Sequence, residues 1–183
     1  MIERADNLFI VTGAPGAGKT TLLNAAAAAG MAIGQEAARA VIQSQVAIDG
    51  PAVQWRDPAM FAELMLDRDI QSWQALRTVG GPVLCDRGIP DLVAYGRMLK
   101  LPQAEHFTRA STLYRYNATV FFAPPWREIY ADDAERTEGW EHAQRIYEPM
   151  RDVYVELGYH IVELPKASVA ERLAFVREVI AHA

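Results

Sequence analysis

Residues Gly13-Ala-Pro-Gly-Ala-Gly-Lys19-Thr20 fit the pattern G-x-x-x-x-G-K-[ST] and directly follow the apolar run Leu8-Phe9-Ile10-Val11. No other feature constrains the fold as much, because the pattern works only as a tight turn between a buried strand and a helix. Glycines let the backbone curl so that successive N–H groups point at one anion, and the helix that follows adds its positive dipole end. Lys19 then reaches the outer phosphates of a nucleoside triphosphate, and the Thr20 hydroxyl is placed for Mg²⁺. The candidate nucleotide-binding residues are therefore Gly13, Ala14, Pro15, Gly16, Ala17, Gly18, Lys19, Thr20 and Thr21.

Strand-like and helix-like patterns alternate along the rest of the chain. Apolar runs at Leu8–Thr12, Met31–Gln35, Pro82–Cys85, Ala118–Ala123 and Tyr159–Leu164 read as five strands. Helical spacing is expected over Lys19–Ala29, over Ala37–Val46, from Pro58 to the Gly80-Gly81 break, over Asp91–Leu99, Gln103–Tyr114 and Trp140–Leu157, and over Ser168–Ala181. Ser168 is expected to cap the last helix, with Glu171 at the box position. The strands are apolar runs rather than polar/apolar alternations, so both faces of the sheet must be covered and the strands run parallel. In such a sheet ligands bind beyond the carboxyl ends of the strands, where the phosphate loop, Glu36 and Asp86 all fall.

The 183 residues, 51% of them hydrophobic, are enough for one domain with a full core, and residues 1–183 are read as a single unit. One cysteine, Cys85, excludes an internal disulfide framework and a multi-cysteine metal site. Neither a secretory leader nor a membrane-length apolar run is seen, so a soluble, cytoplasmic protein is expected. A net charge of -5 supplies no basic field for nucleic acid. The four histidines lack metal-ligand spacing. A homodimer is a possible assembly that the sequence leaves open.

Asp86 ends an apolar strand, where a carboxylate holds Mg²⁺ opposite Thr20 or else caps the next helix. Arg87 beside it suits a transferred phosphoryl group, an anionic substrate, or a surface ion pair. Glu36 suits the proton of an attacking hydroxyl, a sugar hydroxyl, a metal-bound water, or a plain helix start. Arg39, one turn on, is placed to pair with it, while Asp91 and Arg68 are weaker candidates whose positions equally describe solvent-facing helix sides. The segment 126–139 carries Arg127, Asp132, Asp133, Arg136 and Glu138 and reads as a surface insertion or a lid. Arg127 and Arg136 are its candidate phosphate-facing cations. The Pro165-Lys166-Ala167 turn is a place where an adenine could lie.

Taken together, Gly13 to Thr20, Gln35-Glu36-Ala37-Ala38-Arg39, Cys85-Asp86-Arg87-Gly88 and Ala123-Pro124-Pro125-Trp126 resemble bacterial AAA-type ATPases with a kinase-like look. Members are similar to the ribosylnicotinamide kinase domain and, more distantly, to thymidylate and deoxynucleoside kinases. The resemblance implies a three-layer P-loop NTPase fold, with a five-stranded parallel sheet in order 2-3-1-4-5, helices on both faces and a lid. It also implies Glu36 as a substrate-side acid and Asp86-Arg87 as the Asp-Arg pair of those kinases. Gly88 departs from their usual aromatic or hydroxyl residue. The function expected is Mg-ATP-dependent phosphoryl transfer to a small nucleoside-like or other hydroxyl- or phosphate-bearing metabolite. An ATPase or nucleotide-controlled binding module is the alternative. A remodelling motor lacks room for its extra domain, and no Asn-Lys-x-Asp guanine reader follows the fourth strand.

Overall fold

The computed structural model describes residues 2–102, 104–130 and 139–183. Among them the chain forms β1 (Glu3–Ala5), β2 (Leu8–Gly13), α1 (Lys19–Ala28), β3 (Ala32–Gly34), α2 (Ala37–Ala47), α3 (Pro58–Leu76) and β4 (Val83–Asp86). It continues through α4 (Ile89–Met98), α5 (Ala104–Leu113), β5 (Tyr114–Tyr116), β6 (Thr119–Ala123), α6 (Trp140–Glu156), β7 (His160–Glu163) and α7 (Val169–Ala181).

Five strands make one parallel sheet in the order β3-β4-β2-β6-β7. Counted among themselves along the chain, they run 2-3-1-4-5, as the resemblance implies. Every residue of the central strand β2 is buried, which an apolar run achieves only when helices cover both faces. α1 packs on α7, while α4 packs on α3, α5 and α6. Phe122 sits between the rings of Tyr147 and Tyr154, with centroids 5.4 and 5.6 Å away. Burying a side chain of that size contributes about 2 kcal/mol.

Three departures from the expected elements have local causes. β1 and β5 pair in parallel as a separate two-stranded sheet, so the helix expected to run to Tyr114 stops at Leu113. Trp73 draws the chain out there: its ring meets Tyr114 edge-on at 5.3 Å, and its Nε1 donates to the Arg115 carbonyl at 3.3 Å. β3 is shorter than expected. It ends at Gly34, where a Cβ would lie 2.9 Å from Leu76 Cδ1 and 3.3 Å from Cys85 Sγ. α4 starts earlier, at Ile89, because Gly88 is its N-cap and Pro90 suits its first turn. The Ser168–Glu171 capping box forms as expected, with Ser168 Oγ accepting from the Glu171 amide at 3.3 Å.

Candidate functional site at the carboxyl ends of the strands

The loop from Gly13 to Thr20 joins β2 to α1 and depends on its glycines. Gly13 has φ +113, and a Cβ there would fall 2.3 Å from the Ala123 carbonyl oxygen of the neighbouring strand. Gly16 and Gly18 also adopt positive φ, +69 and +75, a region that costs an L residue strain. The Ala14 amide donates to Ala123 O at 2.9 Å, which fixes the loop to the end of β6. Lys19, only 5% exposed, folds back so that Nζ donates to Ala14 O at 2.6 Å and to Gly13 O at 3.3 Å. An ammonium on carbonyl dipoles is stable and still transferable to a stronger anionic acceptor.

Beside the loop, Arg87 follows β4 with a left-handed backbone, φ 67, unusual for a non-glycine residue. Its amide donates to Val11 O at 3.1 Å, so β2 holds the strained turn in place. The guanidinium then lies between two carboxylates, Nε 3.2 Å from Glu36 and Nη1 3.0 Å from Asp91. Burial disfavours this cation, but Asp91, Glu36 and Asp86 more than offset that and hold its pKa above the usual arginine value. Asp91 is 8% exposed and saturated with donors. Thr12 Oγ1 and Tyr154 OH each donate to it at 2.5 Å, and the Gly88 amide donates at 3.1 Å. Burial and the Asp91 carboxylate push the Tyr154 hydroxyl well above the ordinary tyrosine range, so it stays a donor.

Asp86 closes β4 opposite Val11, at the root of the phosphate loop. Burial first, then Glu36, raises its carboxyl above the usual range, while Arg87 and Lys19 pull it down. Glu36, Asp86, Arg87 and Lys19 therefore share one electrostatic neighbourhood. The Thr20 side chain is exposed at the start of α1, so Thr20 and Asp86 offer two hard oxygen donors suited to Mg²⁺ carried in by phosphates. Asp86 is not the cap of α4; Gly88 is. Arg39 is exposed, and Glu36 pairs with Arg87. A Cβ on Gly88 would meet Ile10 Cδ1 at 2.9 Å and Tyr116 Cζ at 3.1 Å, which explains why a larger residue is absent after the Asp-Arg pair.

The start of segment 126–139 lies over the loop. A Cβ on Gly16 would fall 2.6 Å from Tyr130 Cδ2, and one on Gly18 would fall 3.1 Å from Ile129 Cδ1. Arg127 is not drawn into the cluster: it is exposed, with its guanidinium 5.5 Å from the Trp140 ring. Arg136, Asp132, Asp133 and Glu138 lie outside the described residues.

Two residues near the site went unnoticed in the sequence. Arg172 of α7 is 2% exposed, donates through Nη1 to Ala17 O at 3.0 Å and lies 5.8 Å from the Trp126 ring. It braces the phosphate loop from behind. Asp69 of α3 shares its helix face with the buried residues Met65 and Trp73. Burial, with Asp91 and Glu36 nearby and Arg87 opposing, moves its carboxyl up to about 8. One carboxylate inside an otherwise apolar stripe at four-residue spacing was the readable signal.

No curated protein matches this sequence. Among solved structures, the NadR protein in complex with NR superposes with a TM-score of 0.75 at 19% identity, covering 97% of this chain. The chain spans about half of that protein, 51% of its length. Deoxyadenosine kinase from M. mycoides, with products dCMP and a flexible dCDP bound, matches at TM-score 0.67 and 11% identity, covering 96% of this chain and 100% of that one. Thymidylate kinase from Ehrlichia chaffeensis gives 0.63 and 15%, covering 96% and 99%. At these identities the likeness establishes a shared fold. An AAA domain family model matches residues 8–172, most of the chain, and the protein belongs to that AAA domain family.

Proposed function

We propose that the protein is a Mg-ATP-dependent phosphotransferase acting on a hydroxyl of a small, nucleoside-like acceptor. The observation that carries this reading is the Glu36–Arg87 pair, 3.2 Å apart, beside the phosphate loop and in reach of Asp86. The loop amides and Lys19 hold the β- and γ-phosphates, and Thr20 and Asp86 are the residues that would hold Mg²⁺. The metal supplies charge neutralisation on the phosphate oxygens. Glu36 accepts the proton of the acceptor hydroxyl as its oxygen bonds to the γ-phosphorus. The bond from that phosphorus to the bridging oxygen breaks, and its electron pair leaves with ADP. Arg87, fixed by Asp91, stabilises charge on the transferring group. Arg127 and Arg136 are the candidates to complete that charge from the proposed lid at 126–139.

The kinase names of two solved neighbours support this reading, as does the binding of NR by the NadR protein. An ATPase without an acceptor would use the same loop, but it would leave the buried group of Glu36, Arg87, Asp91 and Asp69 without a task. Incubation with γ-labelled ATP, Mg²⁺ and a panel of nucleosides, sugars and their phosphates tests the proposal. Label is expected in an acceptor. Hydrolysis that no member of the panel alters overturns it.

A further inference from the structure

Asp69 belongs to a helix face that is otherwise apolar. Phe61, Met65 and Trp73 occupy the positions four residues apart on either side of it, and all three are buried. Two contacts orient that face. Phe61 meets Tyr95 of α4 edge-on at 6.3 Å, and Trp73 Nε1 donates to Arg115 O on β5. Between these anchors, Asp69 is turned toward the end of β4, where it interacts electrostatically with Asp91, Glu36 and Arg87, and with Cys85 and Tyr116. It keeps partial contact with solvent, unlike the fully packed Phe61 and Trp73 on the same face. Among the described residues no hydrogen bond or ion pair of its own holds its carboxyl. A buried-face carboxyl without a partner costs stability unless a ligand uses it.

The charge around it is one-sided. Glu36 and Asp91 already flank Arg87, and among the described residues Arg87 is the cation that opposes them at Asp69. The potential at this wall is therefore negative; burial first, and then the Asp91 and Glu36 carboxylates, raise the Asp69 carboxyl to about 8. The same potential opposes a second phosphate carrying about two negative charges on the acceptor side.

We propose that Asp69 contacts the phosphoryl acceptor and determines specificity: its carboxyl hydrogen-bonds a hydroxyl or amino group, and its acidic surroundings admit an acceptor without a phosphate while excluding its phosphorylated counterpart. The proposal rests on the phosphotransferase reading above and narrows its hydroxyl-bearing acceptors to those that carry no phosphate.

The test compares nucleosides and simple sugars with their own monophosphates as acceptors, using Mg-ATP as donor. The chain is expected to use at least one unphosphorylated acceptor with a kcat/KM about 100-fold above that of its monophosphate. Asp69→Leu, close in volume, is expected to raise the KM of that acceptor about tenfold, far more than it lowers kcat. The dissociation constant of Mg-ATP, read by calorimetry, stays within about twofold of wild type. Asp69→Asn, which keeps the hydrogen-bonding group, recovers most of the KM. Asp69→Lys narrows the preference over the monophosphate. Equal use of both partners, transfer to monophosphates alone, or an unchanged KM in Asp69→Leu each overturns this inference and leaves the phosphotransferase reading standing. Transfer to no acceptor of either kind, with ATP still bound, overturns both.

Discussion

The two halves of the candidate site are built differently. On the nucleotide side, eight consecutive residues from Gly13 to Thr20 make the cradle mostly from backbone, and the buried cation Lys19 rests on carbonyls of the same loop. On the proposed acceptor side, Glu36, Asp69 and the Arg87–Asp91 pair come from three separate stretches and meet through side chains. A backbone cradle binds a common anion and tolerates many chemistries. A side-chain cluster of one dominant sign is suited to discriminating among ligands. Function in this fold is therefore read from the second half more than from the first.

Perturbing the cradle should have the largest effect. Lys19→Ala is expected to lower phosphoryl transfer about 1000-fold, measured as steady-state kcat/KM, because the outer phosphates lose their dedicated cation. A variant with activity within tenfold of wild type would place the triphosphate elsewhere. Asp91→Ala acts on the other half and is next in size. It strips Arg87 of one partner and leaves Thr12, Tyr154 and the Gly88 amide without their acceptor. A loss of about 3 kcal/mol in denaturant unfolding is expected, as is usual for breaking a buried charged network. A loss under about 0.5 kcal/mol, the range of a surface substitution, would show that the network does not hold Arg87.

How legible each half was follows from the same contrast. The loop was readable because its chemistry is contiguous, and because Leu8 to Val11 and the helix behind Lys19 supply the flanks it requires. Strand placement was readable from apolar runs. β1 and β5 were not, since three-residue strands separated by more than a hundred residues leave no periodicity to detect. Asp91 read as a solvent-facing helix position because its donors, Thr12 and Tyr154, lie on β2 and α6 and no local pattern announces them. Arg172 went unnoticed for a similar reason: its partner, Ala17 O, lies 155 residues away. Asp69 alone broke a visible pattern.

A third perturbation uses pH. Folded Asp69 keeps its proton to about pH 8, whereas the unfolded chain releases it near 3.8. Within that window the folded state binds more protons than the unfolded state, so this group lowers stability as pH rises through it. The groups facing it are Asp91 from α4, Glu36 ahead of α2, Arg87 and Cys85 around the end of β4, and Tyr116 on β5. Thermal unfolding of Asp69→Asn should lose less stability than wild type between pH 5 and pH 8, a span chosen to lie inside the 3.8-to-8 window. Parallel pH profiles would contradict the placement of Asp69.

The smallest effect belongs to the cover of the cradle. Tyr130 packs on Gly16 and meets Trp140 edge-on at 5.5 Å. Tyr130→Ala should change Mg-ATP affinity only about twofold to fivefold in calorimetric titration, since the ring touches the loop without supplying a phosphate ligand. A change above about 100-fold would make the cover part of the binding site itself.

The most direct test of the account is a single turnover of Glu36→Gln with γ-labelled ATP and an acceptor that the wild type uses. The account predicts that ATP binds with wild-type affinity and that label transfer slows by about 100-fold or more, because the proton of the attacking hydroxyl has lost its acceptor. Label reaching the acceptor at the wild-type rate would contradict it.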